Sequence, residues 1–172
     1  MMSTTPYRKP AHMSDAPIRC PIRTVKADWI DYNGHMNMAY YLMVFDRSLD
    51  HVYDELGIGE AYTRSGQGSC FTREVNVNYL QELTRDDPIS VTFQLLDRDA
   101  KRLHFFQHMY HAEQNYLAAT AEQLALHVDM TSRRTAAFPA AVQAQLGELM
   151  QAHQKLETPA EAGRRMGIRR RG

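Results

Sequence analysis

Apolar residues at Leu42, Phe45, Leu49, Val52, Tyr53 and Leu56 recur in steps of three and four, the spacing of one buried face on an α-helix over residues 40–56. Asp46, Arg47, Asp50 and Glu55 fall largely between them and mark its solvated side. Asn37 is placed to cap the start of this helix and Gly57 to end it. Downstream the period changes to two. In residues 70–80, Phe71, Val75, Val77 and Tyr79 alternate with Thr72, Glu74, Asn76 and Asn78, and one slip of phase near Arg73 marks a β-bulge. Residues 89–96 and 103–110 read as strands joined by the charged turn Asp97-Arg98-Asp99-Ala100-Lys101-Arg102. Residues 116–128 suit strand or helix by composition; strand is preferred because the preceding meander needs a partner. A short β-compatible piece, residues 22–26, precedes the long helix. Residues 139–153 form a terminal helix with Pro139 near its first turn. The sum is an α+β fold, a curved antiparallel sheet of about five strands wrapped around one long helix.

At 172 residues the chain is long enough for one domain with a proper core. Three prolines among small and polar residues make residues 1–18 a flexible arm, residues 19–157 the folded domain, and residues 158–172 a flexible tail carrying five arginines. Net charge is zero, which removes any global electrostatic case for nucleic acid or membrane binding. No apolar run approaches the roughly 20 residues that span a bilayer. Cys20 and Cys70 lack a metal-type or CxxC spacing, so the expectation is reduced thiols in a cytoplasmic protein.

The densest chemistry is Asp31-Tyr32-Asn33-Gly34-His35-Met36-Asn37, immediately before the long helix. A carboxylate held beside the free N–H groups that open a helix suits acyl chemistry, with the Met38 N–H as oxyanion donor and the Ala39 N–H as the alternate. Asp31 is either a nucleophile or general base, or else the head of an Asx-turn; spacing alone does not separate these. His35 and Asn37 are candidates to orient Asp31 or substrate, beside ordinary loop and capping roles. Asp28 reads as a turn residue. Asp28, Asp31 and His35 lack a further ligand at metal spacing, so neither metal nor other cofactor is expected. His104, His108 and His111 read as solvent-facing sheet histidines.

The element order together with the Asp31–Asn37 motif, Tyr40-Tyr41 and Phe45-Asp46 resembles the hotdog-fold acyl-CoA thioesterases of the 4-hydroxybenzoyl-CoA thioesterase type, over residues 20–135. Asp28-Trp29-Ile30-Asp31, Glu74 ahead of Tyr79, Asp99-Ala100-Lys101-Arg102, Leu126-His127-Val128-Asp129, Arg133-Arg134 and Phe138-Pro139 resemble the betainyl-CoA thioesterases of carnitine catabolism. The resemblance implies that Asp31 is catalytic, that an acyl-CoA is the substrate, and that the chain is a homodimer or a tetramer of dimers. A betaine acyl group asks for aromatic faces, for which Trp29, Tyr32, Phe71 and Tyr79 are the candidates. Arg98, Lys101, Arg102, Arg133 and Arg134 are candidates for the coenzyme A phosphates. The competing expectations are another short, medium or aromatic acyl-CoA, or an acyl-CoA-binding module without hydrolysis.

Overall fold

The computed structural model describes residues 16–168. Four long strands carry the sheet: β3 (Gly68–Tyr79), β4 (Pro88–Arg98), β5 (Arg102–His111) and β6 (Leu117–Asp129). Two-residue pieces β1 (Ile18–Arg19), β2 (Arg23–Thr24) and β7 (Arg134–Thr135) trim it, and the order is β1-β4-β5-β6-β3, with β2 on β4 and β7 on β6. Helix α1 (Met38–Glu55) lies against β4 and β6; α2 (Glu60–Arg64) and α3 (Ala140–His153) complete the chain.

The periodicity of α1 has a direct structural cause. Its inward face is Tyr41, Val44, Phe45, Ser48, Leu49, Val52 and Tyr53, and Ser48 is tolerated there because its hydroxyl donates back to the Val44 carbonyl at 2.8 Å. Leu42, expected on this face, is 39% exposed. A three-residue step rotates it off the stripe that Tyr41 and Phe45 define. Asn37 caps the helix, its Oδ1 accepting the Ala39 N–H at 3.0 Å, and Gly57 ends it at φ +72°. Fully burying a side chain such as Phe45 stabilises by roughly 1.5–3 kcal/mol.

β6 divides the sheet into two faces. Ala119, Ala121, Gln123 and Ala125 point toward α1, small enough to let the helix approach. The two buried amides on that face satisfy each other: Gln123 donates to Gln107 Oε1 at 2.7 Å, and Gln107 donates to the Phe45 carbonyl at 3.1 Å. The bulge sits between Thr72 and Glu74, where Arg73 is extra. Because side chains alternate, that one residue reverses the faces of β3, so Phe71 shares the outer face with Leu126 while Tyr79 shares the helix face with Ala119. A second irregularity, between Leu95 and Asp97 in β4, had no sign in the alternation.

The described parts of both ends are more ordered than a flexible arm and tail would be. Residues 1–15 lie outside the described residues, but Ile18 is fully buried and pairs with Phe93. Of the arginine tail, Arg169, Arg170 and Arg171 are outside the described residues, whereas residues 154–168 cross the outer face of the sheet. There the Gly163 N–H donates to both Glu122 carboxylate oxygens (3.0 and 2.8 Å), Asn76 donates to the Arg164 carbonyl (3.2 Å), and Gln94 donates to the Glu157 carbonyl (3.1 Å). His104 and His108 lie on this face and are not plainly solvent-facing: His104 meets Glu122 at 2.7 Å, and burial lowers the pKa of His108. His111 is buried, its Nδ1 accepting the Gln114 N–H at 3.1 Å.

Candidate active site

The Asp31 loop is closed by backbone bonds at its base and tip. Ile30 and Met36 form a bridge, the Asp31 N–H donates to the His35 carbonyl at 3.0 Å, and the Gly34 N–H donates to the Asp31 carbonyl at 3.0 Å. Gly34 sits at φ +82°, which a side chain would strain. The loop is tied outward as well, by Met36 N–H to the Leu83 carbonyl (2.7 Å) and Asn37 N–H to the Trp29 carbonyl (2.9 Å).

Within this frame Asp31 Oδ1 accepts the Asn33 N–H at 2.8 Å, so the Asx-turn and the carboxylate expected for chemistry are the same residue. The bond orients the group and occupies one oxygen; Oδ2 has no hydrogen-bond partner among the described residues. The Asn37 cap takes the Ala39 N–H, which removes the alternate oxyanion donor and leaves Met38 as the first uncapped N–H of α1. Asn37 is therefore committed to the helix by its oxygen. His35 is half exposed, with Nε2 3.8 Å from Glu82 Oε1. Asp28 is exposed in the 3-10 turn Ala27–Trp29.

The expected aromatic set does not converge. Trp29 is 7% exposed, stacked on Tyr40 at 5.5 Å with the Lys26 ammonium 5.6 Å from its centroid, so it is a core ring. Tyr32 is 98% exposed at the loop tip, with no wall around it among the described residues of one chain. Phe71 and Tyr79 lie on opposite faces and roughly 26 Å apart, at about 3.3 Å per strand residue. Of the two strand aromatics, Tyr79 stands beside the loop: its hydroxyl donates to the Met38 carbonyl at 3.2 Å, and its ring meets Tyr41 edge-on at 5.3 Å.

The candidate phosphate ligands gather at the other end of the sheet. Arg102 shares a cross-strand row with Leu126 and Phe71, and Arg133 lies over the Phe71 ring at 6.0 Å. Arg134 pairs with Asp129 in β7, and the Lys101 carbonyl accepts the His127 N–H at 2.8 Å. The Arg102 guanidinium donates to Asp99 at 2.7 Å and holds that carboxyl below the usual range. Arg98, Arg102 and Arg164 line a cleft of about 700 Å³ on the outer face; no residue of the Asp31 loop lines it.

Two further nucleophiles are disposed of by environment. Burial pushes the thiols of Cys20 and Cys70 up to about 12, so neither is a thiolate near neutral pH. Among the described residues no group of three or more His, Cys, Asp or Glu is placed to hold a metal ion. Two residues that the sequence did not single out join Tyr41 near the loop: Glu82 after β3 lies 3.8 Å from His35, Tyr116 before β6 donates to the Glu82 carbonyl, and Tyr41 accepts the N–H of Leu83, whose carbonyl takes the Met36 N–H. Only the assembled fold brings them together.

A profile of the thioesterase-like superfamily matches residues 25–146. The chain is 40% identical over 165 residues to an L-carnitine dehydrogenase/betainyl-CoA thioesterase of Rhizobium sp, covering 95% of this chain and 33% of that protein. It is 37% identical over 157 residues to the protein of the same name from Rhizobium meliloti, covering 91% of this chain and 32% of that one. The chain thus spans about a third of the length of these relatives. With the betainyl-CoA thioesterase of Pseudomonas aeruginosa it shares 35% identity over 144 residues, 84% of this chain and 91% of the other. A Staphylococcus aureus protein solved in complex with CoA superposes with a TM-score of 0.83 at 27% identity, over 90% of this chain and 98% of that one. A 1,4-dihydroxy-2-naphthoyl-CoA thioesterase from Synechocystis shares the fold, with a TM-score of 0.67 at 15% identity over 75% and 96% of the two chains.

Proposed function

The chain belongs to the thioesterase-like superfamily, and from that premise we propose that it hydrolyses a small acyl-CoA, betainyl-CoA foremost, to the free acid and coenzyme A. One observation carries the reading: a single closed loop holds a carboxylate with an open oxygen and leads into an uncapped helix N–H. In the general-base form, Asp31 takes a proton from water and the hydroxide adds to the thioester carbonyl. The oxyanion so formed is met by the Met38 N–H and the positive end of α1. Collapse breaks the C–S bond, and the thiolate leaves to take up the proton. In the nucleophilic form Asp31 adds directly, expels the thiolate and leaves a mixed anhydride that water cleaves. Asp28 has no part in either.

The same reading includes a homodimer. Among the described residues β3 pairs with β6 on one side only; Val75 and Tyr79 are exposed along it and Leu80 just beyond it. Unpaired edges favour pairing with another chain, and a two-fold axis pairs β3 with itself antiparallel. That arrangement sets the Phe71 end of one copy, with its arginines, against the Asp31 end of the other. A cytoplasmic location is supported by the two free thiols; among the described residues no helix is long and apolar enough to cross a membrane.

Thiol release from betainyl-CoA, acetyl-CoA, butyryl-CoA and an aromatic acyl-CoA, each with the parent and Asp31→Asn, tests the proposal. Fastest turnover on betainyl-CoA, lost in the variant, is the expected result. Binding of CoA thioesters with no thiol release by the parent would mark a binding module instead.

A further inference from the structure

We propose that Tyr79, Tyr116 and Glu82, over a floor formed by Tyr41, are the seat for a quaternary ammonium group on the acyl moiety. This rests on the betainyl-CoA reading and names residues for it that differ, apart from Tyr79, from those the sequence suggested.

The three tyrosines are fixed through their hydroxyls. Tyr79 donates to the Met38 carbonyl (3.2 Å), Tyr116 donates to the Glu82 carbonyl (3.0 Å), and Tyr41 donates to the Gln81 carbonyl (3.4 Å) while accepting the Leu83 N–H (3.0 Å). Tyr41 and Tyr116 therefore grip adjacent peptide units, and the Leu80 and Gln81 N–H groups, both on the Ala118 carbonyl (2.9 and 3.1 Å), hold the same segment to β6. Tyr41 is buried and meets Tyr79 edge-on; Tyr79 and Tyr116 keep part of their rings open. Glu82 projects from this segment with its side chain 67% exposed and its Oε1 3.8 Å from Nε2 of the half-exposed His35. Mutual closeness is visible in the acidities as well: burial first, then the charges of Tyr116, Glu82 and Tyr79, raise the pKa of Tyr41.

With every phenol already bonded to backbone, the cluster offers a ligand ring surface and one carboxylate. It has no free donor to reward a hydroxyl or carboxylate on the acyl chain. A cation that cannot itself donate a hydrogen bond is the chemistry that such a surface recognises, through the ring quadrupoles and the opposite charge. The position also fits. Tyr79 bonds to the residue whose N–H is the oxyanion donor, and in a betaine thioester the nitrogen is two bonds from the reacting carbonyl carbon.

The experiment compares kcat/KM for betainyl-CoA with that for its neutral isostere 3,3-dimethylbutanoyl-CoA, in the parent, Glu82→Gln, Tyr116→Leu and Tyr116→Phe. The betainyl-to-neutral ratio is expected to fall about tenfold in Glu82→Gln and about fivefold in Tyr116→Leu, and to be largely kept in Tyr116→Phe, which retains the ring. The neutral substrate reports on folding in every variant. As a second measurement, tetramethylammonium chloride should inhibit neutral-substrate hydrolysis by the parent at constant ionic strength, and less so by Glu82→Gln. A parent that prefers betainyl-CoA, with Glu82→Gln and Tyr116→Leu lowering both substrates equally, overturns the seat and leaves the betaine reading standing. A parent that prefers the neutral acyl group removes the betaine reading and the seat with it.

Discussion

The two ends of β3 hold different kinds of chemistry. At the Tyr79 end the groups are delivered by backbone: a closed loop aims Asp31, and the first turn of α1 presents a peptide N–H. At the Phe71 end they are side chains, Arg133 over the ring and Arg102 one strand beyond Leu126. The first end suits a small reacting centre that tolerates little movement, and the second suits phosphates, which accept long flexible cations. One chain holds these ends roughly 26 Å apart, at about 3.3 Å per residue. An antiparallel pair of β3 strands brings unlike ends together, so the proposed dimer completes a site of which each chain has two separated halves.

The largest expected effect breaks the Tyr79 end alone. Asp31→Asn should lower kcat by about 10²–10⁴-fold, the usual worth of a positioned acid–base group, with circular dichroism and CoA affinity preserved. Asp28→Asn should be much milder. Turnover of Asp31→Asn close to the parent's would remove the distinction between the two ends.

Next in size is a change that deletes one hydrogen. Proline is favoured at the first position of a helix, and the preceding Asn37 is extended (φ −62°, ψ 143°), the conformation that a following proline requires. Met38→Pro should therefore fold yet lose the oxyanion donor, costing about 10²–10³-fold in kcat. Met38→Ala keeps the N–H and should retain most turnover. A fully active proline variant would place the oxyanion elsewhere.

These tests also show which parts of the molecule a sequence can carry. The loop, its cap and the bulge were legible because each depends on neighbours within a few residues: Asn37 caps Ala39, and one slip of alternation at Arg73 announces the bulge. The Asx-turn of Asp31 was legible as one of two readings; the turn engages Oδ1 and leaves Oδ2 for the proposed chemistry. The consequence of the bulge was harder to see. It sends Phe71 and Tyr79 to opposite faces, so two aromatics of one strand cannot share a pocket. Trp29 carried no sign that Tyr40 would stack on it. The tail misled through composition. Five arginines suggest solvent, but Gly163 and Arg164 are held by bonds to Glu122 and Asn76, 41 and 88 positions away, separations that local patterns do not carry.

The joining of the two ends is tested by Val75→Lys. Val75 is 39% exposed on the free strand, so a lysine there leaves the monomer core intact while opposing edge pairing. Light scattering should show a monomer, with activity falling in proportion to the monomer fraction. A fully active monomer would mean that one chain suffices and that the Phe71 end serves some other purpose.

The smallest effect distinguishes two arginines within the Phe71 end. Arg102 is already committed: its guanidinium bonds Asp99, so meeting a phosphate requires leaving a carboxylate. Arg133 has softer neighbours, the Phe71 ring and the Met130 sulfur at 3.7 Å, and gives up little on turning to an anion. Both are surface groups, where salt screens interaction beyond about 8 Å at physiological ionic strength. Arg133→Ala should thus raise KM for acyl-CoA more than Arg102→Ala, each by a few-fold at low salt, and the gap should narrow as salt is added. Asp99→Asn sharpens the point, because it frees Arg102. In that background Arg102→Ala should matter more than it does in the parent. If neither arginine moves KM at low salt, the cationic end does not meet the coenzyme phosphates, and the contrast between the two ends of β3 loses its functional meaning.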